Sequence, residues 1–326
     1  MDQPIKFRRI GAGFCGSVWA PPGGTSAFKR EDGGPGRSLK NDFEMHQRVL
    51  RSLDQQTKDL NSSLSIQIPL CYQLIDAEDG EWWDKNHDNF PEGYSACKTL
   101  HSERIPPFPR DVREFLIDKY CPASLIAEIK SSDANQDCLI RPYLGRRRLK
   151  NEGRNRPSRL TAFSLRNFPL HVDQMEELGI ETDVYAKIMA ETLAIMHWDA
   201  KVDANDVEFV LAPVRSESCS LSNGALGQHG MWILDFDCCR DMPMNSEGVD
   251  QAVAAFFRND PFYPRPGSHD GSWEVFRDQY LQTSFDIIRQ ANNEDTRLPF
   301  PRMFIENIEG RLASRLDNDG LGGKSD

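Results

Sequence analysis

The sequence predicts an α+β chain of two lobes: a small strand-rich N-lobe over residues 1–140 and a larger helical C-lobe over 141–316, followed by a disordered tail at 317–326. Three observations predict it. A glycine-rich hairpin, Gly11-x-Gly13-x-x-Gly16, precedes a strand carrying Lys29 and a helix carrying Glu44. A long apolar-faced helix runs straight into His197-x-Asp199. Beyond it, "MWIL" delivers Asp235-Phe236-Asp237 to the end of a strand.

The N-lobe begins as a meander. "KFRRI", "SVWA" and "SAFKRE" read as strands separated by glycine and proline turns. The piece "DGGPGR" at 32–37 is a flexible loop. In "SLKNDFEMHQRVLRSLDQQ", Phe43, Val49, Leu50 and Leu53 share a helical face, and Ser38 or Asn41 caps it. Residues 64–76 are strand-like, and 77–110 are polar and aromatic enough to read as an irregular insertion. "DVREFLIDKYC" is a short helix, and "DCLIRPYLGRRR" starts as a strand and ends in a basic loop at the lobe boundary.

The C-lobe opens with "HVDQMEELGIETDVYAKIMAETLAIMHW", one helix whose apolar face holds Val184, Ile188, Leu193 and Met196. "DVEFVLAP" and "GMWILDFDCC" are strands around a Ser/Gly-rich loop at 215–230. Three helices follow, in "SEGVDQAVAAFFRN", "SWEVFRDQYLQTSFDIIRQAN" and "PRMFIENIEGRLASRL".

Composition narrows the function classes. A net charge of −11 argues against DNA binding through the overall field, so a polyanion partner needs a local basic patch. The eight cysteines form no C-x-x-C pair, and no His stands at finger spacing, so no metal site is assigned. Reduced thiols and the lack of an apolar leader or span point to a cytoplasmic protein away from membranes.

Glycine loop, strand Lys, helix Glu, His-x-Asp loop and Asp-Phe-x is the motif order of a protein-kinase-like two-lobed fold. Such a site takes Mg-ATP, and on that alternative the chain is a small-molecule or protein kinase, or an inactive kinase-like binding module. The departures favour other chemistry. Five residues after Asp199 stands Ala204, with Asn205 one place later, and Asp237 replaces the last glycine of the strand-end motif. Asp199, Asp203, Asp206, Glu208, Asp235 and Asp237 form a cluster more acidic than a nucleotide needs. A guanidinium held by carboxylates fits that surplus. The stretch 141–166 is the opposite. Arg141, Arg146, Arg147, Arg148, Lys150, Arg154, Arg156, Arg159 and Arg166 face Glu152 alone, the charge pattern of a polyanion-binding patch.

"IGAGFCGSVWA", "RPYLGRRR", "FSLRNFPLHVDQMEELGI", "AIMHWDAKVDANDVEFVL", "WILDFD" and "FFRNDPFYPRP", spread from about residue 5 to 285, resemble a fungal family sometimes labelled zinc-finger proteins. Some of its members are arginine-containing cyclodipeptide synthases. The resemblance implies a cofactor-free aminoacyltransferase of secondary metabolism, joining arginine from arginyl-tRNA to a second amino acid or aminoacyl-tRNA as a cyclo-Arg-Xaa diketopiperazine. On this reading Asp235, Asp199, Glu208 and His197 are catalytic candidates. Asp237, Asp206, Asp203, Lys29, Glu44 and the glycines Gly11, Gly13 and Gly16 bind substrate, and the cations from Arg141 to Arg156 hold tRNA. If a covalent intermediate forms, Cys15, Ser17 and Cys238 are candidates by position.

Overall fold

A computed structural model describes residues 5–59, 66–148, 163–215, 220–267, 271–291 and 296–321. The α+β expectation holds: two sheets and a set of helices divide the chain. The first sheet contains β1 (Arg8–Ala12), β2 (Ser17–Ala20), β3 (Ser26–Arg30), β5 (Cys71–Ile75) and β6 (Thr99–Glu103), in the order β1-β2-β3-β6-β5. All its pairings are antiparallel. The second contains β7 (Ile140–Tyr143), β8 (Phe168–His171), β9 (Glu208–Ala212), β10 (Leu221–Asn223) and β11 (Gly227–Leu234), in the order β10-β11-β9-β7-β8. The short strand β4 (Ile66–Gln67) pairs with β11, parallel to it.

Between β3 and β4 lies α1 (Leu39–Asp59), whose buried face is Leu39, Asp42, Met45, His46, Val49 and Leu53. The Oγ of Ser38 accepts from the Asn41 N–H at 3.3 Å, so Ser38 is the capping residue. The supposed insertion at 77–110 is structured. It holds α2 (Gly80–Asn86) and β6, which lies between β3 and β5 with Leu100 opposite Lys29. Trp83 and Phe90 pack with Phe7, Trp19, Phe28 and Ile75 into the small core. Into that core Arg30 inserts its whole side chain, with its guanidinium carbon 4.6 Å from the Phe90 ring centre.

The large core does not divide at residue 140. Phe108, Cys138 and the buried face of α3 (Arg110–Tyr120), with Ile126 and Ile129 of the short α4 (Ile126–Ser131) against them, pack with the second sheet and the later helices. The expected long helix breaks in two, α5 (Val172–Glu177) and α6 (Thr182–Trp198), because Gly179 adopts φ +65° and ends the first piece. Twelve of the seventeen residues of α6 are buried, so it is the axis of the core rather than a one-faced surface helix. Around it stand α7 (Ser246–Arg258), α8 (Ser272–Ala291) and α9 (Phe300–Leu321). The expected tail is helical through Leu321, and residues 322–326 lie outside the described ones. Among the described residues no helix is long and apolar enough to cross a membrane.

Candidate functional site

The β1–β2 hairpin, β3, the start of α1, β7 and the C-terminal end of β11 enclose one cavity of about 450 Å³. Eight carboxylates and five cations line it. Only five non-glycine residues among those described have positive φ, and Asn167, Asp206 and Asp235 of these line the cavity. Such strain collects where a site demands it.

The glycines play different parts. Gly16 has φ +150°, and a Cβ there would sit 2.0 Å from the Arg30 carbonyl, so it is required by chain packing against β3. A Cβ at Gly13 would meet nothing within 4 Å, but the Gly13 N–H already donates to the Gly16 carbonyl at 2.9 Å. That amide serves the turn rather than a ligand. Phe14, at the hairpin tip, is 80% exposed at the cavity rim.

Lys29 is the hub of the inner wall. Its Nζ donates to Asp42 and Asp235, each at 2.6 Å, and lies 4.0 Å from Asp237. Burial works against its charge most strongly, yet the three carboxylates together hold its pKa well above the usual lysine range. Asp42 also accepts the Phe236 N–H at 3.1 Å, which fixes the start of the loop after β11. Burial raises the Asp235 pKa, helped by the charges of Asp42 and Asp237 and opposed by Lys29. The expected partner Glu44 is not in this group. It faces outward beside Lys40 at 3.8 Å. Two residues along a helix turn a side chain by about 200°, so the position that faces Lys29 is Asp42.

The outer wall carries two more ion-pair groups. Nη1 of Arg37 donates to Asp206 at 2.9 Å, to Asp237 at 2.7 Å and to the Cys238 sulfur. Asp206, Asp237 and Cys238 are also close enough together to hold a metal ion, and the Arg37 guanidinium stands among them as the positive charge. Arg141 pairs with Glu208 and, at 3.0 Å, with Asp260, which also accepts from the Tyr143 hydroxyl at 2.7 Å. Burial pushes Glu208 up to about 7 against the pull of Arg141, with the charge of Asp235 adding to the rise. A carboxyl titrating there takes and returns protons near neutral pH.

Three other expected site residues are elsewhere. His197 is buried in the helical core with Nδ1 2.9 Å from the Tyr280 hydroxyl, and burial lowers its pKa to about 3. Asp199 caps α6 and accepts from Gln56 at 3.1 Å. Asp203 is buried and accepts from the N–H groups of Asn205 and Arg240 and from Gln251, stapling two loops. A His-x-Asp pattern does not say which way its side chains turn, and here they turn from the cavity. The displaced Asn205 donates to the Cys238 carbonyl at 3.1 Å, again as a loop tie.

The nucleophile candidates are poor ones. Burial pushes Cys15 up to about 12 and Cys238 up to about 11, so both stay protonated. Ser17 Oγ donates to Asp32 at 2.6 Å and accepts from Trp19. The seven described cysteines are free thiols.

The basic segment is only partly a free patch. Arg141 belongs to the cavity, Arg147 pairs with Glu176, and Arg148 pairs with Asp173 at 2.7 Å. Arg146 is exposed, while Lys150, Arg154, Arg156 and Arg159 lie outside the described residues. Arg166 lines the cavity. It is the lining cation with no carboxylate within 4.0 Å among the described residues, and its buried Nε has no hydrogen-bond partner.

The sequence reading missed Arg37, Asp42, Asp260 and the place of Arg166. A signal existed for Asp42: it falls on the apolar face of α1, three residues from both Leu39 and Met45, where an unpaired carboxylate is costly. Arg37 sits in a glycine loop with no periodic pattern to mark it.

A protein-family model described as "Zinc finger protein" (DUF3669) matches residues 231–292. That segment contains Cys238, Cys239 and His269 as its only Cys or His, fewer than the four ligands of a structural zinc site. No curated protein matches the chain.

Proposed function

We propose that the chain is a tRNA-dependent cyclodipeptide synthase, joining arginine from its tRNA ester to a second aminoacyl group as a cyclo-Arg-Xaa diketopiperazine. The observation that carries this reading is Glu208, a carboxyl titrating at about 7 in the cavity where Asp206 and Asp237 hold a guanidinium. An α-amine has a pKa of about 7.7–8.0, so a base at about 7 is matched to it. The α-amine of the second aminoacyl ester attacks the arginyl carbonyl. The new C–N bond forms as the C–O bond to the ribose breaks. The amine's proton passes to Glu208 and on to the departing ribose oxygen. The arginine α-amine then attacks the second ester in the same way, closing the ring and releasing the second tRNA. The elevated thiols of Cys15 and Cys238 favour direct transfer over an acyl-enzyme. The zinc-finger label of the matching family model is one that the resembled fungal family also carries.

The finer fold reading is a protein-kinase-like scaffold refitted for acyl transfer. The sheet order β1-β2-β3-β6-β5, the Lys29 pairing to a helix carboxylate and Asp235 at a strand end support it. The free thiols fit a cytoplasmic protein.

The test is incubation with tRNA, arginyl-tRNA synthetase, ATP, arginine and amino-acid mixtures. A cyclic dipeptide of the expected mass should form and vanish with RNase; no RNase-sensitive product from any mixture sinks the reading. Arg166 is the natural contact for a phosphate of the tRNA end. Arg166→Ala is expected to raise the KM for arginyl-tRNA about tenfold with kcat little changed, the scale of one lost charge-assisted hydrogen bond. An unchanged KM removes Arg166 from that role.

A second reading, Mg-ATP phosphoryl transfer or an inactive kinase-like module, draws on the same Lys29–Asp235 geometry. Arg37 weighs against it, because its guanidinium takes the place a metal needs between Asp206 and Asp237. Millimolar Mg-ATP should leave the melting temperature unchanged, and a shift of several degrees favours the second reading.

A further inference from the structure

We propose that Arg37 is an internal stand-in for the ligand's guanidinium, filling the Asp206–Asp237 subsite in the empty chain and leaving it when an arginine-bearing ligand enters. The proposal rests on the guanidinium subsite of the reading above and adds its self-occupancy.

The geometry has the features an exchangeable occupant needs. Arg37 makes its contacts through one nitrogen, Nη1, rather than through the two-pronged grip that fixes a permanent Arg–carboxylate pair. The subsite has a buried side and an open side: the Asp237 side chain is 3% exposed and that of Asp206 is 51% exposed. A second guanidinium can therefore approach Asp206 from solvent while Arg37 still holds Asp237. Departure does not strand a charge, because Lys29 Nζ remains 4.0 Å from Asp237 and water reaches Asp206. The cost of leaving a buried carboxylate without a counterion, which locks most such pairs, is lessened here by Lys29, although Asp42 and Asp235 share that cation.

The carrier segment is suited to the motion. Arg37 follows Gly36, which has φ +89°, in the exposed stretch between β3 and α1. The backbone ties of that stretch lie earlier, where Gly33 and Gly34 donate to the Cys15 and Phe14 carbonyls at 3.1 and 2.9 Å. Rotation of the side chain alone frees the subsite. Phe14, with its ring centre 5.6 Å from the Arg37 guanidinium carbon, offers a face at the rim for the incoming or the displaced cation.

An occupant that fills the site in most molecules lowers apparent affinity by the fraction of sites it leaves open. If about nine-tenths of molecules are plugged, Arg37→Gln binds L-argininamide about tenfold more tightly than the wild type by calorimetry. L-Lysinamide, a cation without the planar fork, should gain less. Folded Arg37→Gln that binds L-argininamide no more tightly than wild type overturns the proposal. So does failure of both proteins to bind it at millimolar concentration. If Arg37→Gln does not fold, arginine-labelled wild type is titrated with L-argininamide and the Arg37 Nε–H resonance, assigned through Arg37→Lys, is followed. It should move to the position of a solvent-exposed arginine on saturation, and a resonance unmoved at saturation overturns the proposal. Neither measurement uses tRNA or product, so a failed synthesis assay and a failed plug give different results.

Discussion

Glu208→Gln is expected to cut turnover of arginyl-tRNA by about 10²–10⁴-fold, the usual contribution of a positioned general base. The amide keeps the size and a hydrogen bond to Arg141 but takes no proton. The pH profile is the sharper readout. Wild-type activity should rise with pH through about 7 as Glu208 loses its proton, and that limb should be missing from the residual activity of the variant. A variant that keeps full activity with the same limb removes Glu208 from catalysis. The same group has a linked effect on stability. Its folded pKa lies above the ordinary glutamate value, so the folded chain binds this proton more tightly than the unfolded chain. Its contribution to stability is present below about 4.5 and is lost as pH rises to about 7. Urea midpoints compared at pH 5 and pH 8 should show a larger fall for wild type than for Glu208→Gln.

Lys29→Met is expected to destabilise the fold by about 3–5 kcal/mol, the loss seen when one member of a buried ion pair is removed. Lys29 is the shared counterion of Asp42 and Asp235, and the Asp42 side chain is 3% exposed. Deleting the cation leaves Asp42 charged in the core or forces it to take a proton. Urea denaturation measures the loss, and a fall below about 1 kcal/mol means that the cluster is solvated and not structural. Adding Asp42→Asn should restore part of the stability, because the orphaned charge then disappears. Asp235 separates charge from conformation. With φ +67°, it sits where Asn is tolerated and most side chains are strained, so Asp235→Asn should fold better than Asp235→Ala while both lose the carboxylate.

Much of the fold was legible because its signals are local. The glycine hairpin, the strand with Lys29, the apolar face of α1 and the strand ending at Leu234 follow from turn chemistry and periodicity within a few residues. What stayed hidden depends on distant partners. β6 ends in His101, Ser102 and Glu103, a polar run whose strand form comes from its neighbours β3 and β5 on either side. Lys29 and Asp235 are 206 residues apart, beyond the reach of any local pattern, while the one local sign of the third member, a carboxylate at Asp42 on the apolar face of α1, was outweighed by the motif order that pointed to Glu44. His197 and Asp199 looked like site residues because their spacing matched a motif. The turn after α6 instead buries the ring against Tyr280 and leaves the carboxylate to Gln56. Of the acidic surplus, Asp199 and Asp203 turn to loop ties, and the cation beside Asp206 and Asp237 is the chain's own Arg37, which no local pattern foretold.

The pairing of β4 with β11 has a kinetic consequence. Two residues from the first half of the chain are hydrogen-bonded into the second sheet, and Arg215, beyond β9, ties this seam by donating its N–H to the Gln67 side chain and its guanidinium to the Ile68 carbonyl and Glu103. A cleft sewn together along one side does not open like a book. On the proposed reading a ligand therefore meets a preformed mouth at the Phe14 rim, and the time spent waiting for the two sheets to part drops out of the encounter. Association should be limited by orientation and ionic steering, fast at low salt and slowed as salt screens the local field.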